Sequence, residues 1–508
     1  MCRHVSFVLA AVCAVFLCAA AASGDAPKPN LLLITVDDMN TDSVGAFGSA
    51  VPDSTPSIDQ LAKEGLRFER AHVQVANCMP SRNVMWSGRY PRSNKIEGFY
   101  QVKHPGYLTL ADYAKSAGYF TAIRHKAHDS TPYTPYDWDA VLDTIAGGEK
   151  QHKKDPASYG LSTAEGIRLA KRAGKPFCLL INIADPHLPF FGLNRKGKAI
   201  ADPFVPSRIY RAEEVAVPGF LVDDPVVRQE LAHYYSSVRR ADDAVGQVLR
   251  ALQESGEADN TLVMFLSDHG MPFPFAKTQL YHHSTSTPLI VRWPDVIKPN
   301  SVEGEHLVSA VDILPTLLDA IGEAVPQDLD GRTFLPLLQG GTQDGRDYVF
   351  KVYNENAAGA REPMVAVESA QFLYIFNPWS NGKRTLFSAT YDTDTYKRML
   401  QLAEKDARIA DRLQLLNHRV LEEFYDVQSD PDCLVNLIDD PAYQEQVDEY
   451  RELLEQWLRN MQDPMLEVLL QRDDPATLAA FMLEQKRLTR ERKQWSRAIL
   501  EQRKASGS

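Results

Sequence analysis

The segment NLLLITVDD, residues 30–38, is apolar at nearly every position until it ends in two aspartates. A strand buried on both faces of a parallel sheet has this composition, with polar residues emerging at its carboxyl edge. The period then changes. In TPSIDQLAKEGLRFERAH the apolar residues Ile58, Leu61, Ala62 and Leu66 recur at helical spacing, and Ser57 is the expected cap. TLADYAKSAGYFTAIRHK repeats the scheme as a helix, a stop at Gly118 and a strand. KPFCLLINIADPHLPF predicts a strand running into a histidine loop. RADDAVGQVLRALQESGEADNTLVMFLSDHG predicts a long helix and then a strand ending in Asp268 and His269. Helices and strands in alternation imply an α/β fold with a large, mostly parallel sheet flanked by helices.

The pattern differs toward the end of the chain. LVSAVDILPTLLDAIG closes the large domain as an amphipathic helix, and from about residue 363 PMVAVESAQFLYIFNP predicts paired antiparallel strands. The stretch from Leu421 to Pro464 adds a strand or turn and a long helix. Residues 484–504 carry eight Lys or Arg against three Glu, the composition of a solvated or packed helix. The expected organisation is a leader at 1–22, a catalytic domain at 23–362, a smaller α+β subdomain at 363–462 and a basic helical extension at 463–508. No internal repeat interrupts it.

Charge and cysteines narrow the picture. With 67 acidic and 55 basic residues the formal charge is −12, which disfavours nucleic acid as a partner. Arg3 and His4 precede an apolar run from Val5 to Ala22, the pattern of an export signal cleaved near Ala22. That run is short for a bilayer span, and no later stretch resembles one, so no stable membrane span is expected after cleavage. Export would place the protein in the periplasm or outside a bacterial cell, or in the lysosome or secretions of a eukaryote. Without the leader, only Cys78, Cys178 and Cys433 remain, too few for a disulfide framework. Cys178 lies in the apolar run FCLLINIA and Cys433 at a turn. Cys78, in VANCMPSRNVMWSGRYP, has polar and ring-constrained neighbours instead. Composition leaves it as half of a disulfide, a nucleophile or a modified residue.

Asp37, Asp38 and Asp268 all fall at predicted strand ends. They could share one hard divalent cation, provided the first strand ends where the two adjacent aspartates would otherwise face opposite ways. Arg82, Lys126, His128, His187 and Lys277 supply positive charge and proton donors that, beside such an ion, suit a tetrahedral oxyanion, sulfate or phosphate.

At this point a family resemblance is specific. CMPSR at 78–82, followed by Ser87, Gly88 and Pro91, resembles the signature of the type I sulfatases. LLLITVDDMN, KAH at 126–128, DPHLPF at 185–190 and FLSDHG at 265–270 follow the family order, so the resemblance spans residues 30 to about 462. It implies an alkaline-phosphatase-like sulfatase fold and oxidation of Cys78 to formylglycine by a maturation enzyme. Catalysis would then use a gem-diol nucleophile and a covalent sulfate intermediate. The implied metal ligands are Asp37, Asp38, Asp268 and His269 together with modified Cys78. The implied ion is calcium; because His269 replaces the commoner asparagine, manganese or zinc is also compatible.

The resemblance further implies that Arg82 steadies the hydrated aldehyde, Lys126 holds the sulfate and His128 takes the proton from the second hydroxyl. His187 and Lys277 would lie on the leaving-group side. Within the family, the stretches around PFPFAKTQLY, RHKAHDSTPYTPYDWD and EEFYDVQSDPDCLVNLIDDP are most similar to the N-sulfoglucosamine sulfohydrolases. This implies exo-action on N-sulfoglucosamine in a glycosaminoglycan such as heparan sulfate. The alternatives are an iduronate- or hexosamine-type O-sulfatase, or a phosphodiesterase or phosphonate monoester hydrolase using the same site. Lys277 stands where the N-sulfatases have arginine, and His282 and His283 are expected near the sugar. A homodimer is compatible with all of this.

Overall fold

The apolar runs form the middle of an eight-stranded sheet in the computed structural model, which describes residues 28–506. The expected leader at 1–22 therefore lies outside the described residues. The strands are β1 (Asn30–Asp37), β2 (Leu66–Phe68), the separate two-residue β3 (Ala71–His72), β4 (Phe120–Arg124), β5 (Ala140–Val141), β6 (Phe177–Pro186), β7 (Thr261–Ser267), β8 (Leu289–Arg292) and β9 (Ser301–Glu303). β3 pairs with β10 (Val308–Ser309) outside the large sheet. Across that sheet the order is β5-β4-β6-β1-β7-β8-β2-β9. β1 is parallel to both neighbours, β6 and β7, whereas β8 runs antiparallel to β7 and β2, so the sheet is mixed but largely parallel.

Helices α1 (Pro56–Glu64), α2 (Cys78–Ser87), α3 (Pro91–Asn94), α4 (Leu110–Ser116), α5 (Pro156–Ala173), α6 (Pro225–Glu254), α7 (His282–Thr285) and α8 (Ile313–Ala320) accompany these strands. Alternate residues of β1 serve opposite cores. Leu32, Ile34 and Val36 pack with α1, α5 and α6, while Leu31 and Leu33 pack with residues of α2, α4 and α8. Burial on both faces is why the strand needed apolar side chains at both phases.

Two local expectations shift. The cap of α1 is Thr55, with Pro56 as the first helical residue, not Ser57. The backbone amides of Ser57 and Ile58 donate instead to Asp242 of α6, at 3.1 and 2.8 Å. A tertiary carboxylate thus satisfies amides that a local cap would otherwise serve. The antiparallel sheet also begins earlier than residue 363. It runs in the order β11 (Val349–Glu355), β12 (Arg361–Glu368), β13 (Phe372–Phe376), β14 (Glu422–Asp426). Lys351, fully buried within VFKVYNE, breaks the apolar alternation and masks β11 in the sequence. The helix Gln444–Asn460 lays Val447, Tyr450, Leu454 and Leu458 against this sheet, and a last helix spans Pro475–Ser506. Cys78, Cys178 and Cys433 are buried and free. Among the described residues no helix is long and apolar enough to cross a membrane.

Candidate active site

Three chain segments meet at the carboxyl edge of β1 and β7. β1 ends at Asp37, and Asp38 adopts a left-handed backbone (φ 70°), which breaks the alternation that would have sent the two carboxylates to opposite faces. The Asp38 amide donates to Asp268 Oδ1 at 3.1 Å, tying the end of β1 to the residue after β7. Cys78 is the first residue of α2, and its thiol lies 3.4 Å from Asp37 Oδ1 and 3.3 Å from His269 Nε2.

Arg82 sits one helical turn after Cys78 and so faces the same way. Its Nε donates to Asp268 Oδ2 at 3.1 Å, and its Nη1 donates to Thr35 Oγ1 at 2.7 Å and Asn182 Oδ1 at 2.6 Å. Thr35 and Asn182 are register partners on β1 and β6, so the sheet itself presents the two acceptors side by side. Lys126 Nζ lies 2.5 Å from Asp37 Oδ2, and Lys277 Nζ lies 2.7 and 2.9 Å from the two oxygens of Asp38. Asp37, Asp38 and Asp268 are thus faced by Lys126, Lys277 and Arg82 respectively.

The electrostatics follow from that pairing. Burial would raise Asp37, yet Lys126, with His187 and Arg82, holds it well below the usual carboxylate range. Burial likewise opposes Asp38, and Lys277 prevails to lower it. Asp268 is pushed upward by burial and by the neighbouring charge of Asp37, against His269 and Arg82. Burial and Asp37 also push the Cys78 thiol far up. Against their own burial, Lys126 is raised by Asp37 and Lys277 by Asp38.

The donor set fits a divalent cation. One ligand atom each from Asp37, Cys78, Asp268 and His269 lies within 4.8 Å of the others, as does one each from Asp37, Asp38, Cys78 and His187. His269 carries the sharper sign. Its Nδ1 is 2.9 Å from the Gly270 carbonyl, which can only accept, so Nδ1 bears the proton. In the neutral ring Nε2 then directs its lone pair toward Asp38 Oδ1 at 3.1 Å and Cys78 Sγ at 3.3 Å. A cation among these atoms would relieve that opposition, and a backbone acceptor on the other ring nitrogen is the usual support of a metal-binding histidine.

His187 follows β6, and Lys154 pins it by bonding both Asp185 Oδ1, at 2.6 Å, and the His187 carbonyl, at 2.7 Å. Its Nδ1 donates to the Leu188 carbonyl at 2.6 Å, leaving Nε2 unprotonated in the neutral ring. Burial lowers its pKa to about 4. Asp37, Lys126 and His187 line a cavity of about 770 Å³ whose walls come from the loops after β4, β5 and β6 and from residues 392–397.

Three expected site residues are placed elsewhere. His128 is half exposed, with Nδ1 3.4 Å from Asp129 Oδ1, and lies outside the cavity lining. His125 and Lys126 both take left-handed backbones (φ 58° and 49°), which coils the loop so that Lys126 points inward and His128 outward. His125 lines the cavity instead. His282 and His283 do not face it either. His282 Nδ1 is 2.7 Å from Glu368 Oε1, and His283 Nε2 is 3.0 Å from Asp432 Oδ1, because α7 turns both rings toward the antiparallel sheet and the turn after β14. Sequence reasoning missed Thr35 and Asn182, although a polar residue inside each of two apolar strands was a usable signal. It also missed His125, Lys153 and Lys154, which stand in loops without periodicity.

The Sulfatase family profile matches residues 29–323, and the profile described as N-sulphoglucosamine sulphohydrolase, C-terminal, matches residues 268–414. The chain is 28% identical over 465 residues to the N-sulphoglucosamine sulphohydrolase of Homo sapiens, covering 86% of this chain and 91% of that protein. It is 27% identical over 445 residues to an ulvan-active sulfatase of Formosa agariphila, covering 87% and 82%. Its fold superposes on the solved structure of a 2-O GAG sulfatase with a TM-score of 0.63 at 20% identity, covering 89% of this chain and 96% of that one.

Proposed function

The chain belongs to the sulfatase family and is a hydrolase of sulfuric esters or sulfamates; from this premise we propose that it desulfates a glycosaminoglycan sugar, acting on an N-sulfoglucosamine exposed at a chain end. The observation that carries the sulfatase chemistry is the position of Cys78, at the start of α2, within 3.4 Å of Asp37 and 3.3 Å of His269. The match to the N-sulphoglucosamine sulphohydrolase C-terminal profile supports the choice of sugar, because it covers the segment from Asp268 through Lys277. Likeness to an ulvan-active sulfatase favours the second reading, a carbohydrate O-sulfatase.

In this reading a maturation enzyme oxidises Cys78 to formylglycine, and addition of water to that aldehyde supplies one hydroxyl that attacks and a second that permits sulfate release. Asp37, Asp38, Asp268 and His269 would hold a divalent ion, calcium in the first instance, and the chemistry it supplies is stabilisation of charge on the sulfate oxygens. The remaining work belongs to the chain's own groups. Arg82 locks Asp268 against Thr35 and Asn182, so the ligand edge keeps its shape while sulfate enters and leaves. Lys126 and Lys277 hold negative charge beside Cys78, each already anchored by an aspartate. His187, with Nδ1 committed to Leu188, offers Nε2 as the one ring position that can carry the leaving group's proton. Export through residues 1–22, to the periplasm, the cell exterior or the lysosome, is part of the same proposal.

The test begins with mass spectrometry of the Cys78 peptide, where conversion lowers the mass by about 18 Da. Aldehyde-bearing protein is then offered N-sulfated, 6-O-sulfated and 2-O-sulfated mono- and disaccharides, and free sulfate and desulfated sugar are followed together. Release from the N-sulfated sugar supports the proposal. Turnover of an O-sulfated sugar alone would replace it with the second reading, and phosphate diesters cleaved faster than every sulfated sugar would overturn both.

A further inference from the structure

The mouth of the cavity carries cations that the chemistry at Cys78 does not use. Lys153, Arg195 and Lys196 line it from two loops. None of the three side chains has an ion-pair partner among the described residues, in contrast to other cations of the same cavity. Lys126 is engaged by Asp37, Lys154 by Asp185, and Lys397 by the Asp392 carbonyl at 2.6 Å and Asp394 at 3.5 Å.

The loop that presents Arg195 and Lys196 is built, not slack. Asn194 Oδ1 accepts from the amides of Lys196 and Lys198 at 2.8 and 3.1 Å, and the Asn194 amide donates to the Lys198 carbonyl at 2.9 Å. Gly197 closes the turn with a φ of 71°, a conformation that favours glycine. Bridge pairing of Leu193 with Ala199 fixes its base. Lys153, on the facing loop, is depressed by its burial and then by Lys154, Arg195 and Lys126, so the positive charges converge closely enough to oppose one another. In a chain with a formal charge of −12, this is a local concentration of unpaired positive charge. The cavity volume of about 770 Å³ falls within the roughly 300–1,000 Å³ of sites that enclose ligands larger than a single anion.

We propose that Lys153, Arg195 and Lys196 form a second anion-binding site, which selects substrates bearing a carboxylate or sulfate in addition to the sulfate that is removed. This rests on the sulfated-sugar reading given above and narrows it to polyanionic saccharides. Each exposed charge contact is weak alone, but an arginine fork and one ammonium group on a fixed turn, faced by the ammonium of Lys153, recognise a planar carboxylate or a sulfate at little further ordering cost.

The experiment uses the aldehyde-bearing full chain and its K153A/R195A/K196A variant with three disaccharides that share one scissile sulfate. One carries a further carboxylate, one a further sulfate and one neither. The wild type is expected to prefer a charged disaccharide over the neutral one, more strongly at low salt. In the variant that preference falls by about tenfold or more, through KM, with its salt dependence. Loss confined to the carboxylate or the sulfate arm identifies which anion is recognised. An unchanged preference, or an equal loss on all three disaccharides, overturns the proposal. Should no sulfated disaccharide be turned over, the sulfated-sugar reading fails, and calorimetry still tests the site. The carboxylate and sulfate disaccharides, each lacking the scissile group, should bind the wild type more tightly than the variant; equal binding of both would overturn the site.

Discussion

Among the described residues, two buried clusters bring histidine, carboxylate and lysine within ligand distance of one another, and one of the two looks onto space. At the edge of β1 and β7, three carboxylates and three cations surround Cys78 beside the cavity. At the seam between β3, α7 and the antiparallel sheet, Glu368 Oε1 lies 2.7 Å from His282 Nδ1 and 3.5 Å from His72 Nε2, and Lys351 bonds its other oxygen. No residue of the seam lines the cavity. Its single carboxylate is matched by a single ammonium, so the network closes on itself. A buried ionic network alone therefore does not mark a reactive site; an open neighbour and an unmatched lone pair such as that of His269 Nε2 do.

Asp268→Ala should test the first cluster most severely. It is expected to lower turnover by more than about a hundredfold and to remove the divalent ion proposed for this cluster, as measured by steady-state assay and elemental analysis. Full metal content with undiminished turnover would show that the two clusters are alike after all. Glu368→Gln should act on the seam in the opposite manner. By leaving Lys351 buried without its carboxylate, it is expected to cost about 3–5 kcal/mol of stability in urea unfolding, with turnover per folded molecule unchanged. Lost turnover at unchanged stability would make the seam functional.

The seam also predicts a pH dependence. Burial holds folded His72 down to about 3 from an ordinary 6.5, despite Glu368. The unfolded chain takes up this proton first as pH falls, so stability should decline from about pH 6.5 toward 3, by at most about 1.4 kcal/mol per pH unit, and be unaffected above. His72→Gln should flatten the slope relative to wild type; identical slopes would remove His72 as its source. The smallest effect is expected far from both clusters. Arg459 pairs with Glu455 on an exposed helix face, and Arg459→Ala should change stability by less than about 1 kcal/mol, read from the same urea curves.

Legibility in the sequence followed local periodicity. The strand ends at Asp37, Asp38, Asp268 and His269 were visible because an apolar run that stops at a carboxylate has few other readings. Cys78 and Arg82 were visible through the resemblance of CMPSR to the sulfatase signature, and α2 places the two on one side. The route of a loop was less visible. By resemblance KAH implied that Lys126 and His128 act together, but the left-handed backbones of His125 and Lys126 coil the loop, and of the two only Lys126 lines the cavity. HHST suggested sugar contacts, and α7 instead turns both histidines onto Glu368 and Asp432. β11 was hidden because its buried Lys351 is satisfied by Glu368, a partner 17 positions away.

The sequence by itself determined the alternation of strands and helices, the mostly parallel sheet and the polar residues delivered to one edge, because those depend on side-chain period and on burial of both strand faces. Only the tertiary structure decided which of the polar residues meet. Lys277 and Asp38 are 239 positions apart yet bonded, and Arg82 reaches Asn182 across 100. Such contacts depend on strand order and loop path, which arise from packing the whole chain, and no local pattern records them.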